Sequence, residues 1–201
     1  TGGMRGSRLN QYGGSPDSER AVLRALRWLK KNQEEDGSWA KVKPAMTGLA
    51  LLTFLAHGET PSSEEFGITV ENAMKWLCEN QSTTGLFEGH DSVNYSQAIA
   101  AFALCEAYGM TKVPMLKDAA EKAVEVIIKG QHPTGGWNYH YDNADRNDLS
   151  FNGWCIQALK AASLAGLENP ELEHSLQLAV AGVMKNASPT ANRIRDVVRV
   201  R

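Results

Sequence analysis

One pattern recurs three times in this chain and constrains its fold more than any other: Gln, three residues, Gly, one residue, aromatic. It closes "WLKKNQEEDGSW" (Trp28–Trp39), "WLCENQSTTGLF" (Trp76–Phe87) and "VIIKGQHPTGGW" (Val126–Trp137). A period near 50 residues marks a repeat architecture, in which each unit buries its apolar face only against its neighbours. The physics of the ending suits a helix terminus. Four carbonyls are left unpaired where a helix stops. A Gln side chain there can donate and accept at once. The Gly supplies a tight reversal, and the aromatic can fold back over the amide and shield it from water. Gln33, Gly37 and Trp39, Gln81, Gly85 and Phe87, and Gln131, Gly135 and Trp137 therefore read as structural clips.

Two kinds of helical segment alternate around these clips. The first kind is amphipathic. In "ERAVLRALRWLKKNQ" the apolar Val22, Ala25, Leu26 and Leu29 share one face, and Arg20, Arg24, Arg27, Lys30 and Lys31 take the other. Val70–Gln81 and Leu116–Gln131 repeat the arrangement, with Ser18 and Thr69 expected as N-caps. The second kind, Met46–Gly58, Tyr95–Gly109 and Phe151–Gly166, is apolar almost all round and so buried on most sides. Gly58, Gly109 and Gly166 are expected to end these helices in the left-handed conformation. Alternation predicts an inner layer of apolar helices and an outer layer of amphipathic ones. No stretch alternates with period two long enough to be a strand, so the class is all-α. A fourth unit opens at "PELEHSLQLAVAGVMKN" and fails, with Asn186 where Gln should stand. The organisation is an irregular Gly-rich lead-in over 1–17, a repeat domain over 18–186, and a basic tail over 187–201.

These residues carry a resemblance. Gln-x3-Gly-x-Trp after an amphipathic helix resembles the QW repeats of the terpenoid cyclase and protein prenyltransferase superfamily. "AIAAFALCEAYGMT", "GQHPTGGWNY" and "NGWCIQALKAASLAGL" are similar to bacterial prenyltransferase and squalene-oxidase repeat proteins, most without assigned activity. The resemblance implies an α/α toroid, which has six helical hairpins when complete. Here it would be a partial one of about 3.5 hairpins.

The chemistries implied by the resemblance do not map onto the residues. Class II cyclases use an Asp-rich DxDD acid, whereas "YDNADRND" spaces Asp142, Asp145 and Asp148 by three and three. Zinc prenyltransferases need Asp-x-Cys, and the matching place reads Asp148-Leu149-Ser150. His140 with Asp142, and His90 with Asp91, are two pairs that could bind a metal if both faced one mouth; they read instead as polar loop residues, and no metal or cofactor is expected. GxSxG, HExxH, GxxxxGK[ST] and GxGxxG are all missing. The loops that follow each aromatic gather at one mouth. They carry Lys41 and Lys43, then Glu88, His90, Asp91, Asn94 and Tyr95, then Tyr139, His140, Tyr141, Asp142, Asp145, Asp148 and Asn152. His90, Asp91, Tyr95, Tyr139, His140, Asp142, Asp145 and Asp148 are the rim candidates for an apolar, sugar or peptide ligand.

Bulk properties narrow the partners. A net charge of −2 gives no general pull toward nucleic acid or anionic lipid. The apolar run Gly48–Ala56 is far short of the ~20 residues of a membrane span. Cys78, Cys105 and Cys155 are too few and too scattered for a disulfide scaffold and read as buried thiols. The chain opens on Thr1 and reads as a fragment or processed form, which leaves the compartment open, cytoplasmic or exported. The leading expectation is a ligand- or partner-binding module, whose partner is a second copy or the remainder of a longer chain. The alternative is an enzyme, either a polyisoprenoid cyclase or transferase, or a polysaccharide lyase using Lys41, Lys43 and Arg146 against uronate. Homodimer contacts are expected near Leu164, Leu172, Leu176 and Val183.

Overall fold

The computed structural model of the chain describes residues 11–87, 93–144 and 148–186. Among these the regular structure is helical: α1 (Pro16–Lys31), α2 (Lys43–His57), α3 (Gly67–Glu79), α4 (Val93–Thr111), α5 (Pro114–Lys129), α6 (Leu149–Ala165) and α7 (Leu172–Asn186). The single β-type pairing among described residues is an isolated bridge between Gln131 and Trp137. The fold is all-α.

Local chemistry sets the helix ends, and three expectations need correction. Helix α1 begins at Pro16, not after Ser18, because Ser15 is the N-cap. The Ser15 hydroxyl accepts from the Ser18 amide at 3.2 Å, and the Ser18 hydroxyl accepts from the Ser15 amide at 2.9 Å. Thr69 is not a cap but lies buried inside α3, which starts at Gly67 after Phe66. Gly67 lies so close to the Pro61 carbonyl that an added Cβ would sit 2.4 Å from its oxygen. Gly58 and Gly166 do end α2 and α6 with φ of 90° and 75°. Gly109 does not end α4. It packs within the helix against Ala165, and the left-handed residue is Lys112, whose ammonium donates to the Ala165 carbonyl at 2.6 Å.

The apolar helices α2, α4 and α6 pack in a row, with α3 touching α2 and α4, and α5 touching α4 and α6. Helix α1 lies on α2 and α7 on α6. Small residues permit the approach: a Cβ on Gly48 would meet Ile99 at 3.1 Å and Ala100 at 3.4 Å. Along α4, Ala98, Ala100, Ala101, Ala103, Leu104, Cys105 and Ala107 are buried. The amphipathic helices differ sharply from one another. Helices α3 and α5 bury a full face (Val70, Ala73, Met74, Leu77; Ala119, Ala120, Ala123, Val124, Ile127), whereas α1 buries only Leu26. Val22 and Ala25, read from the sequence as core, are exposed. Near α1, Trp39, Phe54 and Phe66 pack with ring centroids 6.3 and 5.5 Å apart. Each such buried ring contributes about 1.5–3 kcal/mol.

Candidate functional site

The three clips share one geometry. Gln33 Nε2 donates to the Gly37 carbonyl at 2.9 Å and to the Thr69 carbonyl at 3.0 Å. Gln81 does so to Gly85 (3.2 Å) and Ala119 (3.0 Å), and Gln131 to Gly135 (3.2 Å) and Ser175 (3.0 Å). The second acceptor lies each time on the following amphipathic helix, so the amide joins consecutive repeats besides closing its own turn. Ser175 also donates to Gln131 Oε1 at 2.6 Å. The turn glycines have φ of 90°, 89° and 96°. A Cβ on Gly37, Gly85 or Gly135 would sit 2.7, 2.4 or 2.1 Å from the carbonyl oxygen of Asn72, Lys122 or Leu178. Glycine is thus demanded by conformation and by contact.

The aromatics do more than cover the amide. Trp39 and Trp137 donate from Nε1 to Leu29 and Ile127 carbonyls at 2.9 and 2.7 Å, satisfying C-terminal acceptors of α1 and α5. Phe87 fills the same place without a donor and is fully buried. Each aromatic backbone amide donates to a side chain on the next apolar helix: Trp39 to Thr47 (3.2 Å), Phe87 to Gln97 (3.1 Å), Trp137 to Asn152 (3.0 Å). Sequence reasoning missed Thr47 and Gln97 as partners and took Asn152 for a rim residue. Three residue types at three spacings share only the ability to accept a hydrogen bond.

The rim is different. Tyr95 at the start of α4, Tyr139 in the loop after the third clip, and Ser150 and Phe151 at the start of α6 converge. Asp148 caps α6, accepting with Oδ1 from the amides of Ser150 (3.0 Å) and Phe151 (3.2 Å) and from the Ser150 hydroxyl (2.6 Å). The Tyr139 hydroxyl donates to its other oxygen. With the Ser150 proton committed to Asp148, the Tyr95 hydroxyl donates to Ser150 Oγ at 2.8 Å. Phe151 sits beneath, its ring edge-on to Tyr95, Tyr139 and Tyr141 at 5.3, 5.2 and 5.5 Å. Hydrogen bonds from Ser150, then Tyr139, hold the Asp148 carboxyl down to about 2. The same carboxylate pushes the Tyr139 phenol up.

His140 and Asp142 serve their own turn. Asn138, which is buried, accepts from the His140 amide at 2.8 Å and donates to Asp142, which also accepts from the Ala144 amide at 3.1 Å. That bond from Asn138, above all, lowers the Asp142 carboxyl. Tyr141 and Asn143 take left-handed φ of 54° and 61°. Tyr141 needs the missing side chain of Gly130, where a Cβ would lie 2.6 Å from its own. Burial raises the Tyr141 phenol well above its usual range.

The structure thus brings together Tyr95, Tyr139 and Asp148 and sets His140 and Asp142 in the adjoining turn. Glu88, His90, Asp91, Asp145 and Arg146, with the Asn94 side chain, lie outside the described residues. Among described residues no three His, Cys, Asp or Glu groups converge to hold a metal ion. Lys43 is engaged with Asp36 at 2.5 Å and lowers that carboxyl below the usual range. Burial raises all three thiols, Cys78 to about 11 and Cys105 and Cys155 further. At the other ends of α4 and α6, Cys105, Glu106, Gly109, Met110, Ala161, Leu164 and Ala165 line a cavity of about 200 Å³. No described helix is long and apolar enough to cross a membrane.

Compared with known proteins, the chain is similar to a terpene cyclase-glycosyl transferase fusion protein of Humicola fuscoatra, with 23% identity over 192 residues. The match takes in 84% of this chain but 14% of that protein's length. No family model matches, and no solved structure does. The similarity is therefore distant and terpene cyclase-like, with the fold class read from the helices themselves.

Proposed function

We propose that this chain is a ligand-binding module built on an arc of a terpene cyclase-like α/α repeat, without the acid or zinc chemistry of that class. One observation carries the reading: the Tyr95–Ser150–Asp148–Tyr139 hydrogen-bond chain laid over Phe151. The Ser150 and Tyr139 hydroxyl protons run to one carboxylate, and the Tyr95 proton to Ser150 Oγ. A ligand at this rim must bring its own donors and lie against aromatic faces. Sugar rings do both, with hydroxyl edges and a C–H face for stacking. Asp148 is a positioning residue here. Its carboxyl, held near 2, is an anion at neutral pH and is unsuited to protonating an alkene. Ser150 occupies the place of a zinc thiolate and spends its proton on Asp148. Lys43 is already paired, which weakens the lyase alternative.

The experiment is a ¹H–¹⁵N titration of the protein with neutral and uronate oligosaccharides, beside an incubation with squalene and with prenyl diphosphates. The expected result is saturable shifts at Tyr95, Tyr139, Ser150 and Phe151, lost in Tyr139→Ala. Cyclised or transferred product, with no shift from any oligosaccharide, overturns the reading in favour of an isoprenoid enzyme. A second reading, an apolar ligand, is favoured by the cavity between the far ends of α4 and α6. It predicts shifts at Met110 and Leu164 with an alkyl probe instead.

A further inference from the structure

Each clip is an interface with fixed register. Thr69 and Ala119, which accept from Gln81's and Gln131's predecessors in the array, stand twelve residues before Gln81 and Gln131. Asn72 and Lys122, against which Gly37 and Gly85 press, stand nine before. In α7, Ser175 and Leu178 keep the same three-residue step. Twelve and nine residues before Gln33 stand Ala21 and Arg24 of α1. Thr69, Ala119 and Ser175 are buried by the turn seated on them, and so are Ala73, Ala123 and Ala179 one helical turn on. Their counterparts Ala21 and Ala25 are exposed. Trp76 is 4% exposed, its Nε1 donating to Asp36 of the first clip at 3.2 Å, whereas its counterpart Trp28 is 62% exposed.

The opposite side of α1 is engaged. Arg27 is paired with Glu65 at 2.6 Å, Lys30 donates to the Glu65 carbonyl at 2.6 Å, and Glu19 meets His57 at 3.1 Å. The helix is therefore docked, with its clip-receiving strip turned outward. The apolar helix beside it is open on the same edge. Thr47, Gln97 and Asn152 are equivalent through their bond to the clip aromatic, which aligns Met46 with Ser96 and Phe151, and Thr53 with Ala103 and Ala158. Met46 and Thr53 are exposed where those four partners are buried.

We propose that the α1 strip Ala21–Ala25–Trp28, continued by Met46 and Thr53 of α2, is the receiving surface for one further hairpin of this repeat type, seated through its own Gln-x3-Gly-x-aromatic turn. The established interfaces within the chain define the occupant. The turn's glutamine amide meets the Ala21 carbonyl, its glycine presses on Arg24, and an acidic residue before the glycine meets the Trp28 indole. A second copy of this chain has no such turn to give, because all three are seated on α3, α5 and α7. Residues 1–10 and 187–201 contain neither Gln nor an aromatic. The hairpin is therefore carried outside these 201 residues.

The test extends the intact chain. A copy of residues 67–113 joined to Pro16 recreates the natural Val113–Pro114 junction and delivers the second clip to α1. A copy of residues 16–66 joined to Pro16 delivers the first clip, with Asp36 for Trp28. Expected are amide exchange in α1 slowed about tenfold or more, and a comparable loss of thiol-reagent labelling at Ala21→Cys. Labelling reads that position because the native thiols are buried or half-buried. Gly85→Val or Gly37→Val placed in the added copy alone should restore the parent's exchange. If both extensions leave α1 exchange and labelling as in the parent, whether or not the added residues fold, the strip does not receive a turn and the proposal fails. A parent chain that dimerises in light scattering and already protects Ala21→Cys assigns the strip to a second copy and also overturns it.

Discussion

The clip and the rim lie within fifteen residues of each other in the third repeat and follow opposite rules. The clip occurs three times with the same donors, acceptors and left-handed glycine. The rim occurs once. From Trp39 to its acceptor Thr47 the chain takes eight residues, from Phe87 to Gln97 ten, and from Trp137 to Asn152 fifteen. The extra length holds Asn138, Tyr139, Tyr141, Asp142 and Asp148, with two non-glycine residues at positive φ. What recurs is needed to stack one hairpin on the next. What is inserted once is surplus to stacking. Its left-handed Tyr141 and Asn143 sit beside a buried Asn138 and the missing side chain of Gly130, whereas the first connection has one such residue, Ala40.

The comparison predicts that clip substitutions unfold the protein and rim substitutions do not. The largest effect should come from Trp137→Ala. That ring is fully buried and caps Ile127, so denaturant unfolding should show a loss of ~3–5 kcal/mol. Tyr139→Ala, by contrast, should stay within about 1 kcal/mol of the parent while losing oligosaccharide shifts. Equal destabilisation by the two would erase the distinction between clip and rim.

Next in size are Gln81→Ala and Gly135→Ala. The first leaves the Gly85 and Ala119 carbonyls without the shared amide and should cost ~1–3 kcal/mol. The second combines a left-handed φ with an approach to the Leu178 carbonyl, and should cost at least as much, about 1–3 kcal/mol. Gly153→Ala is the control, since an added Cβ there meets nothing within 4 Å and the residue lies inside α6. It should stabilise by about 0.5–1 kcal/mol.

The rim's contribution should show in acid. Asp148 has a folded value near 2, below the roughly 3.9 of an unfolded aspartate. A depressed carboxylate gives stability that is present above the unfolded value and is lost as pH falls through the folded one. The parent should therefore lose stability between about pH 4 and pH 2 more steeply than Asp148→Asn, which keeps an N-cap but has no charge to protonate. Identical acid limbs in thermal melts would mean that Asp148 is not held by Ser150 and Tyr139.

How much of this was legible follows from the same contrast. The clip could be read because one residue type at one spacing does one job, and the apolar helices because whole faces repeat. The acceptors Thr47 and Gln97 were illegible because any hydrogen-bonding side chain serves. Ser15 rather than Ser18 caps α1 because both hydroxyls fit a capping box and only the chain's path decides which leads. Val22 and Ala25 misled because an apolar stripe shows that a face can be buried, not that a neighbour is present. Of the residues named for a homodimer surface, Leu172 is core, Leu176 is half-buried, and Leu164 and Val183 are exposed. At the rim, residue type singled out Tyr95, Tyr139 and Asp148, which the structure brings together, but Ser150 and Phe151 looked like ordinary helix residues. No spacing announces that a Phe lies under three tyrosines.

The smallest prediction rests on one position shared by all three repeats. Met46, Ser96 and Phe151 each precede the residue that accepts from the clip aromatic. Met46 is exposed at the open edge, Phe151 is the hub of the rim cluster, and Ser96 is fully buried with no hydrogen-bond partner among the described residues. Burying an unsatisfied hydroxyl costs free energy that its removal returns, and Ala fits in the same space. Ser96→Ala should therefore raise stability by about 1 kcal/mol. A loss of similar size would show that the hydroxyl is bonded in solution, and that the second repeat carries a polar function at the place where the third carries its ring.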